Sequence, residues 1–158
     1  MTSWYKKFSS QPHQPFFTNG VIFFILFMLL LFFSYSNILI LNSSLLTYHA
    51  YSLIFVVFIQ FFLGFLFVVF PKFLMQSEIA SKDYMNQFLL YFIGSIGIFL
   101  SIIFLPKLVI FFQILILFVQ ILSFNLLYSI HKKSILKDKN DTKWVLISFA
   151  SGLVAHLL

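Results

Sequence analysis

Long apolar runs without a single charge dominate this chain, and their lengths match a lipid bilayer. Residues 21–41, 50–70, 88–105 and 108–130 are each uncharged, and a helix needs about 20 apolar residues to cross the hydrocarbon core. A fifth run, 144–158, begins at Trp144 and is cut short by the end of the chain at Leu158. The runs are continuous, as in Phe61-Phe62-Leu63-Gly64-Phe65-Leu66-Phe67, whereas barrel strands alternate apolar and polar residues. With 61% hydrophobic and 9% charged residues in 158, a soluble globule has too little interior to hide the apolar excess. The expected fold class is therefore all-α: a multi-pass transmembrane helical bundle, one membrane-embedded region with four full spans and an incomplete fifth, in contact with the lipid bilayer.

All ten basic residues are lysines. Lys6 and Lys7 precede the first run, Lys72 and Lys82 lie between the second and third, and five lie in 132–143. Only Lys107 falls in the other loops. Nine of ten lysines thus share one side, and the positive-inside bias predicts a cytoplasmic N-terminus. The formal charge of +6 reads as topology, and no nucleic-acid partner is expected, because a basic groove with interleaved arginines and aromatics is missing. The first apolar run is too long for a signal-peptide core and is expected to remain as a span. Cysteine is absent, which excludes disulfides and thiolate metal sites. The four carboxylates, Glu78, Asp83, Asp138 and Asp141, all lie in loops, so no paired-carboxylate site is expected inside the membrane.

Polar side chains within the apolar runs are expensive in lipid, and their placement is informative. At 100° per residue, His49 and Gln60 fall on nearly one stripe, with Gly64 close by. That stripe is expected to face protein, Gly64 allowing a neighbouring helix to approach. Gln113 and Gln120 share a face of the fourth run, and a hydrogen bond between Gln60 and Gln120 is predicted from their similar depth. Gly94, Gly97 and Ser101 form a small-residue seam suited to helix packing. His131 is expected at the interface. His156 lies roughly 18 Å from the cytoplasmic face if its helix is straight, with His49 nearer the outer end of its own span. Both are candidate ligands, as is His13. The prolines Pro12 and Pro15 predict an extended approach to the membrane.

The segment Pro12-His13-Gln14-Pro15-Phe16-Phe17 resembles the His-Arg-Pro-Phe-Phe segment before the first span of the NnrS family. These are bacterial inner-membrane proteins linked to the nitric oxide response and known to contain haem and copper. The family's second span has a His-Ala-His-Glu-Met stretch, a Gly-Phe pair and a closing proline. His49-Ala50, Gly64-Phe65 and Pro71 match these without a gap. Tyr51 and Ser52 stand where the second His and the Glu would be, and Gln14 replaces the Arg. The resemblance implies a multi-pass protein of the bacterial inner membrane with haem and copper as cofactors. It carries over His49 and His13 as candidate haem or copper ligands, and His156, singled out by its place within a span, joins them as a candidate cofactor ligand; Tyr51 does not carry over. Family members have more spans, so the chain is expected to correspond to their N-terminal part, with the remaining spans of a longer protein as a partner. The contrasting reading is a cofactor-free small transporter or accessory subunit, resting on Gln60, Gln113 and Gln120.

Overall fold

A computed structural model describes residues 3–41 and 44–157, and every regular element among them is helical. A short α1 (Ser3–Phe8) leads into α2 (His13–Tyr35). The second crossing is one rod in three parts: α3 (Leu45–Tyr51), a π-helical stretch Ser52–Phe58, and α4 (Ile59–Phe73). Then follow α5 (Ser81–Phe104), a 3₁₀ turn at Pro106–Leu108, α6 (Val109–Lys133) and α7 (Asn140–Leu157). Four of these rods are long and apolar enough to cross a membrane: α2, the Leu45–Phe73 rod, α5, and α6 with its leading turn. The fold is that of a multi-pass membrane protein.

Helix α2 begins eight residues before the apolar run at Val21 does. Pro12 already has helical angles and Pro15 lies in the first turn. The extended path predicted for them does not form, because the first N–H groups of a helix have no intrahelical partner and proline loses nothing there. At the other end α2 stops well before Leu41. Asn37 takes a left-handed conformation (φ 56°), Ile38 N–H bonds Phe33 C=O at 3.0 Å and Asn37 N–H bonds Ser34 C=O at 3.2 Å. Asparagine tolerates this geometry better than most residues, and the two bonds satisfy carbonyls the helix end would otherwise expose.

Because α2 is apolar nearly all round, what decides its inward face is contact. Phe16, Gly20, Phe23, Phe27 and Leu30 are buried, at alternating spacings of four and three, the seam spacing of packed helices. Phe24, Ile25, Phe32 and Phe33 point outward. The α2 seam packs chiefly against α4 and the π-helical stretch, α5 packs on α6, and α7 lies against α6. Buried aromatics fill the centre; Phe16 meets Phe67 and Phe88 edge-on with centroids 5.6 Å away.

Glycines set how closely the helices approach. A Cβ on Gly64 would lie 2.8 Å from the Phe17 ring and 3.0 Å from Phe16 Cβ. On Gly94 it would lie 2.7 Å from Ile116, and on Gly97 2.2 Å from Phe112. Gly152 has nothing within 4 Å.

Hydrogen bonds join the lysine-bearing connections at one end of the bundle. Tyr84 donates to Ser9 C=O (2.5 Å), and Ser134 donates to Leu74 C=O (3.1 Å). Lys139 Nζ donates to the carbonyls of Ser134 (2.7 Å) and His131 (3.1 Å). Lys107 lies in the turn at the opposite end.

Gly97→Val forces Phe112 off α5 and should cost about 1–3 kcal/mol, the usual penalty for overpacking a close contact. Thermal unfolding in detergent should show the loss in Gly97→Val, while Gly152→Ala melts at or above the temperature of the unsubstituted chain.

Candidate functional site

In hydrocarbon a polar group without a partner is costly, so most buried polar side chains of this bundle are hydrogen-bonded. Apart from a Ser123–Gln87 pair (2.6 Å), two clusters stand out. In the first, Asn19 of α2 donates to Gln60 Oε1 (2.5 Å). Gln60 Nε2 in turn donates to Val56 C=O (2.8 Å) and to Ser95 Oγ of α5 (3.3 Å), and Ser95 donates to Tyr91 C=O (2.8 Å). Gln60 is fully buried and engaged at both its oxygen and its nitrogen. The bond predicted between Gln60 and Gln120 is not formed. Asn19 and Ser95 are Gln60's partners, because the helix start at His13 draws Asn19 into the bundle, where sequence alone leaves it in a loop.

The second cluster runs through Gln120. Tyr51 Oη lies 2.7 Å from His156 Nε2, and His156 Nδ1 lies 2.8 Å from Gln120 Oε1. Gln120 Nε2 donates to Tyr91 Oη (3.4 Å), and Tyr91 donates to the backbone carbonyl of Phe55. Donor and acceptor roles fix the proton positions. An amide oxygen only accepts, so His156 carries its proton on Nδ1. In the neutral ring Nε2 then holds the lone pair and accepts from the Tyr51 hydroxyl. The Phe55 ring stacks on the His156 imidazole, centroids 4.1 Å apart.

The π-helical stretch is what presents these groups. Its wider turn shifts the backbone carbonyls from their α-helical partners, a geometry often found at functional sites. Tyr91 and Gln60 bond two of those carbonyls, Phe55 and Val56. Tyr51 and Phe55 thereby face α6 and α7, while His49 and Gln60 face α2 and α5.

A cavity of about 460 Å³ opens beside the second cluster, lined in part by Thr47, Tyr51, Phe55, Gln113 and His156. It is largely apolar with a few convergent polar groups and falls within the size range of small-molecule and cofactor sites. His49 sits elsewhere. Its Nδ1 is buried without a partner, as is Ser52 Oγ, and both residues line a separate space of about 10 Å³ with Phe27, Leu30 and Ile102. That is room for one water or one ion.

His13 opens α2 at the lysine-bearing end and meets the Phe17 ring edge-on at 5.9 Å. His49 lies beside Leu30 and Leu31, about 25 Å further along α2 at 1.5 Å per residue, so the two cannot share one ion. His131 bonds Thr142 at 3.0 Å near the bundle end. Among the described residues, no group of three or more His, Cys, Asp or Glu converges on a metal position.

In the second cluster, Tyr91 and Tyr51 are not singled out by the sequence. Tyr91 is the hub of the second cluster, and its signal lay in the spacing Tyr84, Gln87, Tyr91, Ser95, a polar-tipped stripe along one face of α5. Tyr51 stands where the family has a histidine, and it is the partner of His156.

A bundle of long apolar helices with polar groups gathered inside defines an integral membrane protein. The chain belongs to the NnrS family: the family's sequence model, described as NnrS protein, matches residues 7–158. No curated protein and no solved structure gives a significant match.

Tyr91→Phe removes the donor to Phe55 C=O and the acceptor of Gln120 in one step. It should destabilise the protein by about 1–3 kcal/mol, as expected for buried polar groups left unpaired. Denaturant or thermal melts of Tyr91→Phe against Tyr128→Phe, an exposed tyrosine of α6, measure the difference.

Proposed function

We propose that this NnrS-family protein acts in the bacterial inner membrane in the nitric oxide response and binds haem through His156, with His49 contributing a ligand to one copper ion. The observation that carries the haem reading is the fixed tautomer of His156. Its Nδ1–H is anchored on Gln120 Oε1 (2.8 Å), and the residue lines the cavity of about 460 Å³. Ligating histidines characteristically hold their second N–H on an oxygen acceptor in this way, which sets the ring and raises its basicity. The Tyr51 hydroxyl lies 2.7 Å from His156 Nε2. Were a haem iron held at His156, Tyr51 would be the nearby hydroxyl able to donate a hydrogen bond to a small molecule in the cavity. Phe55 stacks on the imidazole and keeps water from it. Haem, when bound, supplies an iron at which a diatomic molecule such as nitric oxide can bind.

The His49 space suits copper only in part. An imidazole nitrogen is a good ligand for that metal, and the orphaned Nδ1 is available. A single nitrogen with the Ser52 hydroxyl is an incomplete set, so any copper here takes further ligands from outside the described residues. The transport reading has weaker support, since the Gln60 amide on which it leans is engaged by Asn19, Val56 and Ser95.

The test is the visible spectrum and metal content of the purified protein. Wild type should show a Soret band. His156→Ala should lose it, and Gln120→Leu should bind haem about tenfold more weakly, the lower end of what loss of an orienting partner costs. His49→Ala should keep the Soret band and lose copper. A colourless, copper-free preparation of the intact protein overturns the reading.

A further inference from the structure

Between α6 and α7, away from the histidine cavity, a groove of about 430 Å³ runs inward from the lysine-bearing end. Its polarity is graded along the helix axes. Lys132 and Lys143 stand at the mouth, and Phe124, Tyr128, Ile147 and Ala150 line the interior. Phe124 is eight residues from Lys132 and Ala150 is seven from Lys143, so the apolar floor descends about 10–12 Å below the cations at 1.5 Å per residue. No carboxylate among the described residues lines the groove. The neighbouring Lys139 is committed elsewhere, to the carbonyls of His131 and Ser134, which leaves Lys132 and Lys143 as the cations facing the opening. Trp144 is exposed beside Lys143, as aromatic residues are at the headgroup level.

We propose that this groove is a binding site for one anionic phospholipid, its phosphate at Lys132 and Lys143 and an acyl chain lying along Phe124 and Ala150. Charge complementarity and the direction of the gradient argue for this occupant. A phospholipid presents a negative headgroup directly above hydrocarbon, in the order in which the groove offers cations above apolar side chains. Basic pockets between transmembrane helices hold acidic headgroups for this reason. A partner helix would meet two lysines at one end with nothing to match them.

The experiment uses the full chain in nanodiscs of equal parts phosphatidylglycerol and phosphatidylcholine. Native mass spectrometry then counts the lipids retained on the protein after mild detergent release. Wild type should retain one phosphatidylglycerol with roughly thirtyfold preference over phosphatidylcholine, in line with two lysines near the membrane surface. Lys132→Gln with Lys143→Gln should bring the two lipids to parity, while Lys137→Gln, outside the groove, keeps the preference. Ala150→Phe fills the floor without touching charge and should lower retention of phosphatidylglycerol several-fold. Equal retention of both lipids by wild type overturns the proposal, as does a preference that survives the double lysine substitution. Should the double variant fail to fold, Ala150→Phe decides: undiminished retention sinks the idea.

Discussion

The Tyr91 hydroxyl stands where the polar groups of the bundle meet, and the rest of the arrangement depends on its being satisfied. It accepts from Gln120 on α6 and donates to Phe55 of the second crossing. Its own backbone carbonyl takes the Ser95 hydroxyl that Gln60 also reaches, and Gln60 holds Asn19 of α2. Through Gln120 the same chain extends to His156 on α7. Water is absent from hydrocarbon, so these groups have only one another to bond. Each bond in such a place is worth modest free energy, but together they define which faces turn inward.

The π-helical stretch follows from the same constraint. A wide turn in lipid displaces backbone carbonyls from their ordinary donors, and it persists here because Tyr91 and Gln60 bond two of them. In return it turns Tyr51 and Phe55 toward α7. The imidazole of His156 then sits between a phenol donor, an amide acceptor and a stacked ring. The fixed orientation of the His156 ring is thus a consequence of how the second crossing is wound, and the unpaired His49 nitrogen on its other side belongs to a different, much smaller space.

Particular residues show where reading the chain succeeds and where it stops. The uncharged runs announced four crossings, and the short motifs around His13, His49, Gly64 and Pro71 pointed to the NnrS family, whose sequence model spans nearly the whole chain. The helix start at His13 was hidden by two prolines, which look like breakers unless one knows that they occupy the first turn. Asn19 was lost with it. Gln60 and Gln120 were expected to bond directly. Depth along a helix follows from counting residues, but which helices are neighbours does not, and α5 inserts Tyr91 and Ser95 between them.

By itself the sequence determined that this chain is helical and lives in lipid, and that nine of its ten lysines share one end. Those conclusions need only the lengths of apolar runs and the spacing of charges, which are local quantities. Tertiary structure alone decided which face of each helix points inward, because α2 is almost equally apolar on every side. It alone joined Tyr51 to His156 across 105 residues of chain and separated His13 from His49. Hydrophobicity specifies that a helix enters the bilayer and is silent about its rotation there; close packing at Gly64 and Gly97 and the pairing of buried polar groups set that rotation.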